Sequence, residues 1–139
     1  MTTADLAEIS TVRSSAIDAL VSFRSNNINK ASLKVILGVL NKIIDELRAL
    51  IKQEDVVYLE ALNEPWDKIL LKVCENERIP NSDIRKILEE LAKIKSIIEK
   101  ALNNQPLKEG EKIKLERMLR IFVDTYVEHE YRILKALRA

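Results

Sequence analysis

Residues 32–52 read SLKVILGVLNKIIDELRALIK, and this stretch decides the fold class of the chain. Its large aliphatic residues recur every three or four positions, which is the period of an α-helix with one apolar face. Such a helix has to bury that face against other elements, and Ser32 is a favourable residue for its N-terminal cap. The apolar positions are Leu33, Ile36, Leu37, Leu40, Ile43, Ile44, Leu47 and Ile51.

Four further segments follow the same period, over about 4–24, 55–76, 82–103 and 111–137. Arg13 interrupts the apolar stripe of the first segment. Pro65 interrupts the stripe of the 55–76 segment. Because proline lacks an amide hydrogen, we expect a kink or a restart of the helix there. Lys95 lies within the stripe of the 82–103 segment, where its aliphatic stem can be buried while its ammonium group reaches water.

Glycine and proline are too scarce for a chain rich in turns. The 139 residues include 2 glycines and 3 prolines, whereas strands at regular spacing need many tight turns. No segment shows the alternation of a strand. The sequence therefore predicts an all-α protein, a single helical domain over 1–139 built as a bundle of about five helices, with a long C-terminal helix and no sheet.

Charge and cysteine content limit the partners and the compartment. Lys and Arg number 23 against 22 Asp and Glu, so the whole molecule has no strong field to attract nucleic acid or an anionic membrane. A single cysteine cannot form an internal disulfide, and we find no signal peptide or membrane-length apolar run. These features predict a cytoplasmic protein that does not bind membranes. Scarce glutamine beside abundant Lys, Glu and Ile suggests a thermophilic host.

Residues that commonly carry catalysis do not form a recognisable pattern. His129 is the only histidine, so the paired histidines of di-iron bundles cannot form, and we expect a structural role at the edge of the last helix's stripe. Cys74 is expected to be buried and reduced. Two glycines cannot build a phosphate-binding loop. We therefore predict no enzymatic activity, no cofactor and no metal. Glu60, Glu64 and Asp67 would share one helix face, and a solvated face explains this spacing better than a metal or acid–base site.

The last helix carries unusually widespread apolar residues. Such a helix is covered over much of its circumference, either by its own bundle or by a partner chain. We expect a protein partner, either a paralogous subunit or an identical chain. The centre of the stripe is Leu115, Leu119, Phe122, Tyr126, Ile133 and Leu137, widened by Val123, Val127 and Leu134 on one flank and by Met118 and Ile121 on the other.

The polar side of the same helix combines an aromatic residue with cations, as protein interfaces often do. Asp124 and Glu128 lie among these residues and weaken a nucleic-acid footprint, so a protein interface or a solvated face is the favoured interpretation. Trp66 is expected to anchor the core, with a role in the interface as the alternative. The candidate interface residues are Arg117, Arg120, Tyr131, Lys135, Arg138 and Trp66.

The C-terminal part of the chain resembles a known family. Residues 114–137 read KLERMLRIFVDTYVEHEYRILKAL, and a helix from Ile84 to Leu102 precedes them across a loop. This order resembles the helical A-domain of GINS subunits, in which a charged start of the long helix precedes a Leu/Tyr-rich middle. Arg132-Ile133-Leu134-Lys135 is similar to the end of that helix. The resemblance covers about 55 of 139 residues, and the small β-domain usual in the family has no counterpart here.

The resemblance implies a subunit of the archaeal DNA replication complex. Such a subunit joins related subunits and bridges the MCM helicase to a Cdc45/RecJ-like protein, and catalysis would then lie in those partners. The residues leave two alternatives open. One is a small nucleic-acid-binding subunit, such as the small subunit of a CRISPR effector complex or a primase accessory factor, to which Arg24, Lys30 and Lys34 would contribute. The other is a helical protein of a virus or mobile element.

Overall fold

A computed structural model describes residues 3–53 and 81–138 of the chain, and the structural statements below concern these residues. Four α-helices account for nearly all of them, with no strand, which confirms the all-α prediction for this part of the chain. The helices are α1 (Thr3–Arg24), α2 (Lys30–Gln53), α3 (Asn81–Leu102) and α4 (Glu109–Arg138). The helix predicted over 55–76 lies outside the described residues, as do Trp66 and Cys74.

The helices pack as a ring in chain order, and each is antiparallel to its neighbours. The most extensive contact joins α1 and α4, and the α3–α4 contact is the least extensive of the four neighbouring pairs. Arg13 of α1 pairs with Glu130 of α4, and Arg24 pairs with Glu116, so the two helices run in opposite directions. The α1–α2 and α3–α4 loops therefore lie at the same end of the bundle, as in an up-down-up-down arrangement.

One hydrophobic core is shared by all four helices. The buried residues of α1 are mostly small, which lets α1 approach α2 and α4 closely, since interaxial distance depends on the side chains at the contact. The other helices contribute larger side chains. Fully buried large side chains are Ile36, Leu40, Leu47, Ile84, Leu91, Ile94, Ile98, Leu115, Met118, Leu119 and Phe122.

Both short loops begin with the same helix-ending turn. Asn26 and Asn104 adopt positive φ angles of 62° and 58°, a conformation that asparagine tolerates better than most residues. The next amide in each loop reaches back to close the turn: Asn27 N–H donates to the Ser22 carbonyl at 2.8 Å, and Gln105 N–H to that of Lys100 at 2.9 Å. These bonds satisfy carbonyls at the helix C-termini that would otherwise have no partner.

Side chains also fix where α2 and α4 begin. The Asn29 carboxamide oxygen accepts a hydrogen bond from the Ser32 N–H at 3.1 Å, which makes Asn29 the N-cap of α2. The prediction of Ser32 as the cap was wrong: the helix begins earlier, and Ser32 is buried in its first turn. At α4, Glu111 accepts from the Lys108 N–H at 3.0 Å, as in a capping box.

Candidate interaction surface

The outer face of α4 holds the predicted interface residues that the structure describes. Arg117, Arg120, Tyr131, Lys135 and Arg138 are all exposed. Their positions repeat at helical spacing along one side of a helix of 30 residues, which is about 45 Å long. We call this side of α4, which also includes Ile113, Asp124, Val127 and Glu128, the outer face.

Large hydrophobic side chains are exposed on α4 more often than elsewhere in the described part of the chain. Of the six such residues, four belong to α4: Ile113 at 60%, Val127 at 45%, Tyr131 at 61% and Leu137 at 62% exposure. Ile113 was not singled out from the sequence, because it lies near the helix start among lysines. Val127 was assigned to the buried stripe. Helical spacing instead places Val127 and Tyr131 four residues apart on the outer face.

The bundle itself covers most of the wide apolar arc of α4. The buried residues are Leu115, Met118, Leu119, Phe122, Thr125, Tyr126, His129 and Ile133. The buried arc is therefore turned toward Met118 and His129 relative to the predicted stripe, because α4 packs against α1 on one flank and α3 on the other. Leu137 was predicted at the stripe centre and is exposed instead, since it lies beyond Ile133, the last buried residue.

The flank of α4 that faces α1 is fixed by two ion pairs. Arg13 Nε donates to Glu130 Oε2 at 3.0 Å, and these side chains are 31% and 19% exposed. Arg24 Nε donates to Glu116 Oε1 at 3.1 Å in a more exposed position. The first pair explains why Arg13 interrupts the apolar stripe of α1. Arg13 forms an ion pair with Glu130, which lies 117 residues further along the chain.

The cations of the outer face are not engaged within the described part of the bundle. Glu128 pairs with Arg132 at 3.0 Å, one turn further along α4. By contrast, none of the ion pairs among residues 3–53 and 81–138 includes Arg117, Arg120, Lys135 or Arg138. Their guanidinium and ammonium groups are therefore available to a partner along the whole length of α4.

A cavity of about 570 Å³ opens between the two loops at one end of the bundle. Its apolar lining includes Phe23 and Leu107, and the Arg24–Glu116 pair lies at its side. Four carboxamides also line it, which places hydrogen-bond donors and acceptors around an apolar surface. The sequence did not indicate this cavity, because the two loops are far apart along the chain. The carboxamide residues are Asn26, Asn27, Asn104 and Gln105.

Of the residues considered for catalysis or metal binding, the structure describes only His129. His129 is buried in the packed face of α4 and not at the edge of the stripe, where it was predicted. Cys74 and the acids Glu60, Glu64 and Asp67 lie outside the described residues. Among residues 3–53 and 81–138, no group of three or more His, Cys, Asp or Glu residues is placed to hold a metal ion.

The described helices also lack a stretch that is both long and apolar enough to span a bilayer. No family model, no curated protein and no solved structure matches this chain.

Proposed function

We propose that this protein is a noncatalytic helical subunit that assembles with another protein through the outer face of α4. The observation that carries the proposal is the set of exposed hydrophobic residues on that face, between cations that have no acidic partner in the described part of the bundle. Covering exposed apolar side chains with a partner stabilises the complex by about 25 cal/mol for each Å² of apolar surface removed from water.

Val127 and Tyr131 are the proposed centre of the contact. Tyrosine and arginine are enriched where interfaces contribute most of their binding energy, and a tyrosine loses little conformational freedom on binding. Arg120 and Lys135 lie within two turns of this pair and provide a charged rim. A partner that presents an apolar strip flanked by carboxylates would complement this arrangement.

The area of the outer face indicates how much of the bundle surface the partner must cover. A strip about 45 Å long and about 10 Å wide presents on the order of 450 Å². A standard interface buries about 800 Å² on each partner. The partner therefore has to extend past α4 onto the flank of α1 or α3, which favours a second helical bundle over a single peptide.

The C-terminal resemblance determines which partners to test first. If the chain is related to GINS subunits, its partner is a paralogous subunit of the archaeal replication complex, and the assembled complex contacts MCM and a Cdc45/RecJ-like protein. A second copy of this chain is the other protein partner that the proposal allows, in an orientation that sets Asp124 of one copy against the cations of the other. Both partners would use the same outer face.

The test compares two variants that each add two carboxylates to an exposed helix. V127D/Y131D places them at the centre of the outer face, whereas the control A31D/A49D places them on α2, diagonally across the bundle. Light scattering measures self-association, and affinity purification from the host with mass spectrometry identifies partners. We expect wild type and control to recover the same dimer or partner and V127D/Y131D to lose it. A strict monomer with no partner, or equal loss in both variants, would refute the proposal.

A further inference from the structure

A second surface lies between α3 and α4, the neighbouring pair of helices with the least extensive contact. A groove of about 480 Å³ runs between the two helices near the start of α4. Lys93, Ser96 and Ile97 of α3 form one wall, and Lys108, Glu111 and Lys114 lie along the other. The lysines come from separate parts of the chain, and the antiparallel packing of α3 on α4 brings them together.

The one acid in the groove is already engaged by the protein. Glu111 Oε2 accepts a hydrogen bond from Lys100 Nζ at 2.9 Å, and Oε1 accepts from the Lys108 N–H at 3.0 Å. The Lys108 N–H bond and the Lys100 bond also hold the pKa of Glu111 below its ordinary value. Glu111 therefore stays ionised with both oxygens in use, and Lys100 offsets its charge.

Three ammonium groups in the groove form no ion pair with an acid. None of the ion pairs among the described residues includes Lys93, Lys108 or Lys114, and all three lysines are exposed. Like charges around one groove repel each other, and an anion between them would relieve that repulsion. The groove thus carries a local positive charge, although the whole chain has a net charge of only +1.

We propose that this groove binds the phosphate backbone of a nucleic acid without reading its sequence. Lysine binds phosphate as a compact point charge that needs no fixed bidentate geometry, and all three cations of the groove that form no ion pair are lysines. None of the residues that line the groove is aromatic, so bases have no ring to stack on. Contacts of this kind position a nucleic acid but carry no sequence information.

The dimensions of the groove suit a linear anion. Lys108 and Lys114 are six residues apart, which is about 9 Å along the axis of α4. Lys93 faces them from α3, so the charges line both walls of the groove rather than a single point. A backbone along the groove would place successive phosphates beside successive lysines. This proposal does not depend on a protein partner at the outer face.

The test measures fluorescence anisotropy of a short labelled DNA duplex and of a single strand, at increasing salt concentration. We expect binding at low salt whose log K falls with log salt at a slope of about −2.7 on duplex, as three phosphate contacts require. K93Q/K108Q/K114Q should weaken binding at least tenfold and flatten the slope. The control R48Q/R85Q/K86Q removes the same charge from exposed positions on α2 and at the start of α3, outside the groove, and should bind like wild type.

Three outcomes would overturn the proposal. One is no binding of duplex or single strand at low salt by a protein whose circular dichroism shows a folded helical state. Another is an equal loss of affinity in both triple variants, which would mean that total charge and not the groove decides binding. The third is tighter binding of a poly-glutamate peptide than of DNA, which would assign the groove to an acidic protein segment.

Discussion

Replacing Gly38 by alanine should stabilise the protein. Gly38 lies in the interior of α2, at an exposed position and without a positive φ angle, and a Cβ atom built there meets nothing within 4 Å. Glycine in a helix interior is about 0.8–1.0 kcal/mol less favourable than alanine, because its unfolded chain has more conformations to lose. Since the added methyl group has open space, no packing penalty offsets this gain.

The expected change can be expressed as a melting temperature. An unfolding entropy of about 2.1 cal/mol/K per residue gives about 0.3 kcal/mol/K for this chain, so 1 kcal/mol raises Tm by roughly 3 °C. Urea denaturation followed by circular dichroism should show a higher midpoint with an unchanged slope. A higher midpoint with an unchanged slope would show that stability has risen while the surface exposed on unfolding stays the same.

Gly110 provides the matched control. It also has open space around its Cβ position, but it lies in the first turn of α4, where helix propensity is only partly expressed. We expect Gly110→Ala to give less than about half the gain of Gly38→Ala. If Gly38→Ala instead lowers the free energy of unfolding, another side chain must occupy the space beside Gly38, and its exposed position would be wrong.

Three further predictions follow from the core and the ion pairs. A double-mutant cycle on Arg13 and Glu130 should give a coupling free energy of about 1 kcal/mol, because the pair is partly shielded from water. Phe122→Ala should lower the free energy of unfolding by about 3–5 kcal/mol, since the ring is fully buried. Glu111→Gln should be less stable than wild type at neutral pH. That difference should shrink as pH falls below 4.5 through the lowered pKa of the folded carboxyl group, because protonation removes the same charge from wild type.

Each of these has a control within the chain. The Arg24–Glu116 pair joins the same two helices but is more exposed, so its coupling should be below about 0.5 kcal/mol. Val127→Ala removes an exposed side chain of the same helix as Phe122 and should change stability by less than about 0.5 kcal/mol. Glu109→Gln removes a carboxylate from the same turn as Glu111. A pH-dependent loss of the same size in Glu109→Gln would show that the hydrogen bonds of Glu111 are not its cause.

Sequence periodicity predicted the described helices because their caps and apolar positions are local. The segments predicted over 4–24, 82–103 and 111–137 correspond to α1, α3 and α4 to within about two residues. The start of α2 was misplaced because two residues suited to capping, Asn29 and Ser32, lie three positions apart. Only the hydrogen bond from the Ser32 N–H to Asn29 distinguishes them.

The partners of charged residues could not be predicted in the same way. Arg13 pairs with Glu130, 117 residues away in the sequence, and no local sequence pattern predicts a contact at that separation. The lysines of the α3–α4 groove are likewise unremarkable in sequence, because Lys93 lies on a different helix from Lys114. The predicted interface residues on α4 were easier to find, since one helix carries them all and its period places them on one side.

The sequence by itself determined that this protein is helical, because its scarce glycine and its helical apolar period are properties of neighbouring residues. It also placed a polar and aromatic face on the last helix. Tertiary structure alone decided how much of that helix the bundle covers: α1 and α3 bury the Met118 and Phe122 side and leave Val127 and Tyr131 exposed. The physical reason is that burial depends on which helices pack together, whereas a helical face depends only on spacing.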